Sequence, residues 1–174
     1  MRCPSFTLGS RTLWPKPIGD NLSGALQVSE AVEVSDELVA AMAQLIPQLS
    51  GSSPPPGQAA LAEIVSAPST ALFVARLAVD GETVGAIAGT LTLVTFRGPT
   101  GVRAWIEDVV VDESARGRGV GEALTSAALD RARAVGARSV DLTSRPERQA
   151  ANRLYQRMGF ELRQTNVYRL TLVS

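Results

Sequence analysis

Residues 106–124 read IEDVVVDESARGRGVGEAL, and this stretch decides the fold. It opens as the end of an apolar strand, 102–111 (VRAWIEDVVV), and closes as the start of a helix. Between them stand glycines at 117, 119 and 121. Glycine lets backbone N–H groups face inward without side-chain obstruction. The free N–H groups and positive dipole end of the helix point into the same loop. Arg116 and Arg118 add charge. Together these features make an anion site suited to a pyrophosphate. Two common phosphate loops do not fit. A G-x-G-x-x-G fingerprint counted from Gly117 needs glycine at 122, which is Glu122. A G-x-x-x-x-G-K-[ST] loop needs a lysine that is missing here. The pattern present is Arg116-x-x-Gly119-x-Gly121.

Upstream, residues 70–79 and 83–96 read as two further strands. Asp80-Gly81 marks a hairpin between them, and 97–101 marks a second turn. Gly85 and Gly89 suggest a bulge or a close backbone approach. Earlier still, 25–34 reads as a strand. Ser35 then opens a helix carrying Leu38, Ala41, Met42, Leu45, Ile46 and Leu49 at helical spacing. A proline-rich loop at 54–56 leads to a second helix over 58–66. Downstream, the helix from 120 stops at Gly136. A strand at 138–143 follows, parallel to 102–111 because a helical crossover joins them. Pro146 and Glu147 open a last helix that Gly159 closes. Residues 160–163 and 167–173 read as two final strands around Thr165-Asn166. The expected order is β-α-α-β-β-β-α-β-α-β-β: an α/β domain around a mixed sheet with one βαβ unit near its middle. Residues 1–24 read as a loose tail and 25–174 as the domain.

Composition narrows the chemistry. The chain has 174 residues, 45% hydrophobic and 20% charged, the size of one domain. Seventeen basic residues balance seventeen acidic ones, so no net field draws it to nucleic acid or acidic lipid. It has no histidine, which excludes Ser-His-Asp and Cys-His chemistry and His-ligated metal. Cys3 is the sole cysteine, so no intrachain disulfide or cysteine cluster forms. No metal is expected. Acid–base work falls to Asp, Glu, Lys, Tyr, water or the substrate itself. No apolar run is long enough to span a membrane, and the cytoplasm is the expected location.

A second motif stands at 151–160, ANRLYQRMGF. Taken with IEDVVVDESARGRGVGEAL, it resembles the GNAT superfamily of acyl-CoA-dependent N-acyltransferases. The first segment is similar to that family's [RQ]-x-x-G-x-[GA] coenzyme A motif, and the second to its A-x-x-L-Y-x-x-x-G-F stretch. The resemblance covers roughly 25–174 and implies a GNAT-like, mostly antiparallel sheet. It also implies roles. Val109, Val110 and Val111 would lie where the strand splays from its neighbour and would offer backbone groups to the pantetheine arm. The Val109 amide would face the thioester carbonyl. The backbone of Arg116, Gly117, Arg118, Gly119, Val120 and Gly121 would cradle the pyrophosphate of acetyl-CoA. Tyr155 matches the tyrosine that protonates or hydrogen-bonds the departing thiolate, a task a phenol can perform. Its plainer alternative is a core tyrosine.

Glu107 is the candidate base. Strand alternation puts 105, 107, 109 and 111 on one face, so Glu107 should share a face with Val109 and Val111. The alternative is a structural ion pair with Arg103 or Arg145. The sequence departs from the family at Arg148, where many members have a cofactor-contacting asparagine. Either Asn152 or Arg148 itself would replace it. The resulting reading is an N-acetyltransferase that moves an acetyl group directly to a primary amine of a small molecule or peptide. A non-enzymatic acyl-CoA-binding module is the alternative. Nucleic acid and membrane are not expected partners, and the reading leaves room for a homodimer.

Overall fold

The computed structural model describes residues 26–78 and 85–172. The expected tail and the Asp80-Gly81 turn lie outside the described residues. In chain order the elements are β1 (Leu26–Glu30), α1 (Asp36–Leu49), α2 (Gln58–Ser66), β2 (Thr70–Leu77), β3 (Ala86–Gly98), β4 (Gly101–Val111), α3 (Val120–Ala134), β5 (Val140–Leu142) and α4 (Gln149–Arg157). The sheet runs β1-β2-β3-β4-β5. Pairing is antiparallel up to β4 and parallel between β4 and β5. The crossover through α3 thus gives the expected βαβ unit.

Local chemistry sets the ends. The Ser35 side chain accepts the Leu38 N–H and caps α1. After α3, Gly136 takes a φ of 73°, the left-handed turn that ends a helix. Helix α3 lays Val120, Leu124, Ala128 and Ala132 on one face of the sheet, against Ala71, Phe73, Leu91, Leu93, Ala104 and Ile106. On the other face, Leu38 and Met42 of α1 and Leu61 and Val65 of α2 meet Leu72 and Val74. The inner strands are covered on both sides, which explains their near-continuous apolar runs.

Gly89 confirms the close approach. A Cβ there would lie 2.8 Å from the Val110 carbonyl oxygen and 3.0 Å from Val120. A Cβ at Gly85 would strike the Leu77 backbone. The register between β2 and β3 also slips beside Gly89, leaving Ala88 as the extra residue of a bulge.

The C-terminal region departs from expectation twice. Helix α4 begins at Gln149 rather than Pro146. The final two strands are not formed among the described residues: 160–172 carries no regular structure. Alternating apolar residues supply a strand with a face, but a strand also needs an edge to pair with. Here the segment leaves the sheet, and Leu162, Val167, Tyr168, Leu170 and Leu172 face solvent.

Candidate functional site

The site starts from a defect in β4. Thr90 pairs with Val110, yet Thr92 pairs with Glu107, so two residues of β4 oppose Leu91 alone. Asp108 absorbs the extra length at a φ of +50°, unusual for a non-glycine residue. The bulge reverses the alternation of the strand. Ala104 and Ile106 pack on the α3 side before it, and Val109 and Val111 pack there after it. Glu107 therefore does not share a face with Val109 and Val111. That expectation assumed unbroken period-two geometry, and the inserted residue breaks it.

Backbone donors reverse as well. Before the bulge, Ala104 donates its N–H toward β5, to Ser139. After it, Asp112 donates toward β3, to the Ala88 carbonyl at 2.8 Å. Donors alternate between the two edges of a strand. The N–H groups of Val109 and Val111 therefore point away from β3. On that side β4 has no partner, because its pairing with β5 ends at Ile106↔Leu142. A wedge without pairing thus begins after Ile106, and along it Glu107 and Asp108 are exposed, Val109 and Val111 half-buried and Val110 buried.

The wedge leads to the glycine loop. Gly117 and Gly119 sit at φ of 76° and 80°, a region that side chains strain to enter. A Cβ at either would meet nothing within 4 Å. These two glycines are required by the turn, and the space they face is open. Gly119 is the N-cap of α3 and offers no side-chain cap, so the first-turn N–H groups stay available. Gly121 serves differently. A Cβ there would lie 3.3 Å from Leu154 and 3.8 Å from Val111, so the glycine lets α4 approach α3. Arg116 reaches Glu113 at 3.3 Å in an exposed pair. Val120 is buried and reaches the loop only through its backbone.

Asp112 fixes this loop to the rest of the fold, a role sequence reasoning missed. Its carboxylate accepts from Gln44 Nε2 at 2.8 Å, Gln48 Nε2 at 2.9 Å, Ser114 N at 3.0 Å and Ser114 Oγ at 2.5 Å. Gln48 Oε1 in turn accepts the Glu113 N–H at 3.0 Å. Four donors favour the charged form, led by the Ser114 hydroxyl and Gln48, and hold the carboxyl down at about 2. The carboxylate thus ties the C-terminal half of α1 to the end of β4. Its only local signal is Asp-x-Ser, a cap for the short 3-10 turn at Glu113–Ala115.

Helix α4 brings Tyr155 to the same end of the sheet. The ring meets Phe160 edge-on with centroids 5.7 Å apart. Burial pushes the phenol above its usual range, and the Arg148 charge opposes this. Such a hydroxyl keeps its proton at neutral pH. Arg148 spends one guanidinium N–H on the Leu49 carbonyl at 3.2 Å. Asn152 donates to the Arg145 carbonyl at 3.0 Å. Both thus have structural contacts that brace α4. Glu107 is exposed on the α1–α2 side, where Trp105 Nε1 donates to its carboxylate at 2.7 Å. Neither Arg103 nor Arg145 forms an ion pair with it among the described residues, and Arg103 instead donates to Thr100. No group of potential metal ligands occurs among the described residues, and none of their helices is long and apolar enough to cross a membrane.

A mixed five-stranded sheet with a splayed β4–β5 pair and an uncapped helix at its mouth defines an acyltransferase-like fold. The family model for the acetyltransferase (GNAT) family matches residues 38–160. The chain belongs to that family. Solved structures agree. An acetyltransferase from Trypanosoma brucei is 26% identical, with a TM-score of 0.67 over 84% of this chain and 99% of that one. An aminoglycoside acetyltransferase from an uncultured soil metagenomic sample, in complex with sisomicin, is 18% identical. Its TM-score is 0.71 over 87% of this chain and 98% of that one. An aminoglycoside N-acetyltransferase in complex with CoA is 20% identical, with a TM-score of 0.68 over 84% and 94%. The last two are similar in fold. No curated protein matches the sequence.

Proposed function

We propose that the chain transfers an acetyl group from acetyl-CoA directly to the primary amine of a small molecule or peptide. One observation carries this reading. On the side away from β3 the backbone of 109–111 has no strand partner, and the glycine loop that follows ends in an uncapped helix N-terminus, so free amide donors occur at both places. The residues fit that group: Gly117 and Gly119 face open space, and Arg116 and Arg118 stand beside it. Bound there, acetyl-CoA supplies the activated thioester.

The chain's own residues do the rest. First-turn amides of α3 and the 116–121 backbone hold the pyrophosphate. The Val109 N–H stabilises negative charge on the thioester oxygen in this reading. Tyr155, kept protonated by burial, donates to the departing sulfur. Glu107, held by Trp105, takes the amine proton directly or through water. Its side chain lies on the sheet face opposite that of the Val109 side chain, while the Val109 N–H points from the open edge of β4. The CoA and sisomicin complexes of fold neighbours support a CoA substrate and a small amine acceptor.

Acetyl-CoA should raise the melting temperature, and an amine panel should release free thiol. Cofactor binding with no turnover on any amine would favour the non-enzymatic module. Glu107→Gln should lower kcat/KM most at neutral pH and less at high pH, where free amine is already abundant. An equal loss at every pH would remove Glu107 from the role of base.

A further inference from the structure

Three apolar side chains beside Glu107 belong to neither core. The register of β3 and β4 sets Thr92 opposite Glu107, Val94 opposite Trp105 and Phe96 opposite Arg103. Residues paired in this way share a sheet face. Leu91, Leu93, Ala104 and Ile106 turn toward α3, so these six side chains stand on the α1–α2 face. There α1 and α2 pack over Leu72 and Val74 of β2, and neither core cluster includes Val94, Phe96 or Trp105. Phe96 is 49% exposed. The result is an apolar strip that starts at Glu107 and ends at Phe96. Two residues of strand advance roughly 7 Å, which sets Trp105 one such step from Glu107 and Phe96 two.

Charge along the strip differs between its ends. Glu107 accepts the Trp105 indole N–H on Oε1, and its Oε2 makes no hydrogen bond among the described residues. Asp141 of β5 pairs with Trp105, but its carboxylate already meets Arg163 at 3.9 Å and the Ser139 hydroxyl at 3.2 Å. Asp108 stands in the bulge opposite Leu91, a residue of the α3 face. At the far end Arg103, beside Phe96, donates to Thr100 and has no acidic partner among the described residues. The strip thus offers one open carboxylate near the reacting centre and a guanidinium at its other end.

We propose that the acceptor is a monoamine with an aromatic body, its nitrogen at Glu107 and its ring along Trp105 and Phe96. The proposal rests on the acetyl-transfer reading above and names the acceptor class of that same site. One open carboxylate suits one ammonium. A second cationic group would find no free anion on the strip and would approach Arg103, so a polycation is disfavoured. An aryl group covers apolar surface at Trp105 and Phe96 that a short alkylamine leaves wet. A linker of two or three carbons between amine and ring matches the single step of strand from Glu107 to Trp105. Trp105 and Phe96 are on this account residues that set specificity, and Glu107 sets the position of the amine.

The test uses the full chain with acetyl-CoA and three probe amines: 2-phenylethylamine, propylamine and spermidine. Thiol release is followed for each. Phenylethylamine should exceed both others in kcat/KM by more than roughly 10-fold, the effect of burying one aromatic ring. Phe96→Thr changes an exposed position to a residue suited to strands. It should cut the preference for phenylethylamine over propylamine roughly 10-fold, chiefly through a higher KM for phenylethylamine. Phe96→Tyr keeps the ring and should keep the preference. A melting shift with acetyl-CoA in both variants checks that fold and cofactor site persist. Spermidine or propylamine used as well as phenylethylamine would overturn the acceptor class and leave acetyl transfer standing. So would an undiminished preference in Phe96→Thr. Thiol release with none of the three would overturn the acceptor class and the transfer reading together.

Discussion

Strand β4 has one closed edge and one open edge. On the β3 side, pairing runs from Gly98↔Gly101 to Gly89↔Val111, interrupted only by the bulge. On the β5 side it covers Ala104 to Ile106 and stops. The closed edge is backed by α3 and by residues with almost no exposure, such as Leu91, Leu93 and Leu124. Helix α4, which follows β5 in the chain, has no fully buried residue. Stability is concentrated where the strands pair, and free backbone donors remain where they part.

The largest expected effect tests that division through the core. Leu124→Ala removes a side chain with no exposure and should cost about 2–5 kcal/mol. Leu142→Ala, on half-buried β5, should cost less than about 2 kcal/mol. Urea denaturation of both variants measures the difference. Equal losses would mean that the open side is packed as firmly as the closed one.

Tyr155→Phe probes the open side alone. It keeps the ring against Phe160 and removes only the hydroxyl. If the hydroxyl acts on the departing thiolate, kcat should fall roughly 10- to 1,000-fold. The KM for acetyl-CoA should stay nearly constant, and stability should move by no more than about 1 kcal/mol. A variant with wild-type kcat would reduce the tyrosine to a packing residue.

The smallest effect concerns the clamp that joins the two sides. The Asp112 carboxyl is lowered from 3.8 to about 2 in the fold. Its contribution is therefore complete above the unfolded value and is lost as pH falls from about 4 toward 2. The wild type should lose ~2 kcal/mol across that window that Asp112→Asn does not. Parallel pH titrations of denaturation midpoints would show the two curves converging in acid. Curves that stay parallel would deny the carboxylate this role.

Much of this division could be read from local sequence. Ser35 and Gly136 mark helix ends by backbone chemistry, and Gly117 and Gly119 mark a left-handed turn that few other residues tolerate. The order of strands up to β5 followed from turns and apolar runs. Three features could not be read so. The bulge at Asp108 carries no glycine, so the alternation of 105, 107, 109 and 111 looked unbroken. The partners of Asp112 lie 64 and 68 residues away, on α1. The last two strands had the right pattern, but pairing depends on an edge that no local pattern describes.

The Asp108 bulge has a consequence for how this strand can evolve. A period-two chain has a phase, and one added residue shifts it by half a cycle. Upstream of Asp108 the strand shows its odd-numbered side chains to one chamber; downstream it shows them to the other. Substitutions at Trp105 and Glu107 can therefore retune one chamber while the valines keep the opposite one unchanged. Deleting Asp108 would leave every remaining side chain on its present face, because Glu107 and Val109 would then alternate as neighbours, and would remove only the extra residue and its left-handed backbone.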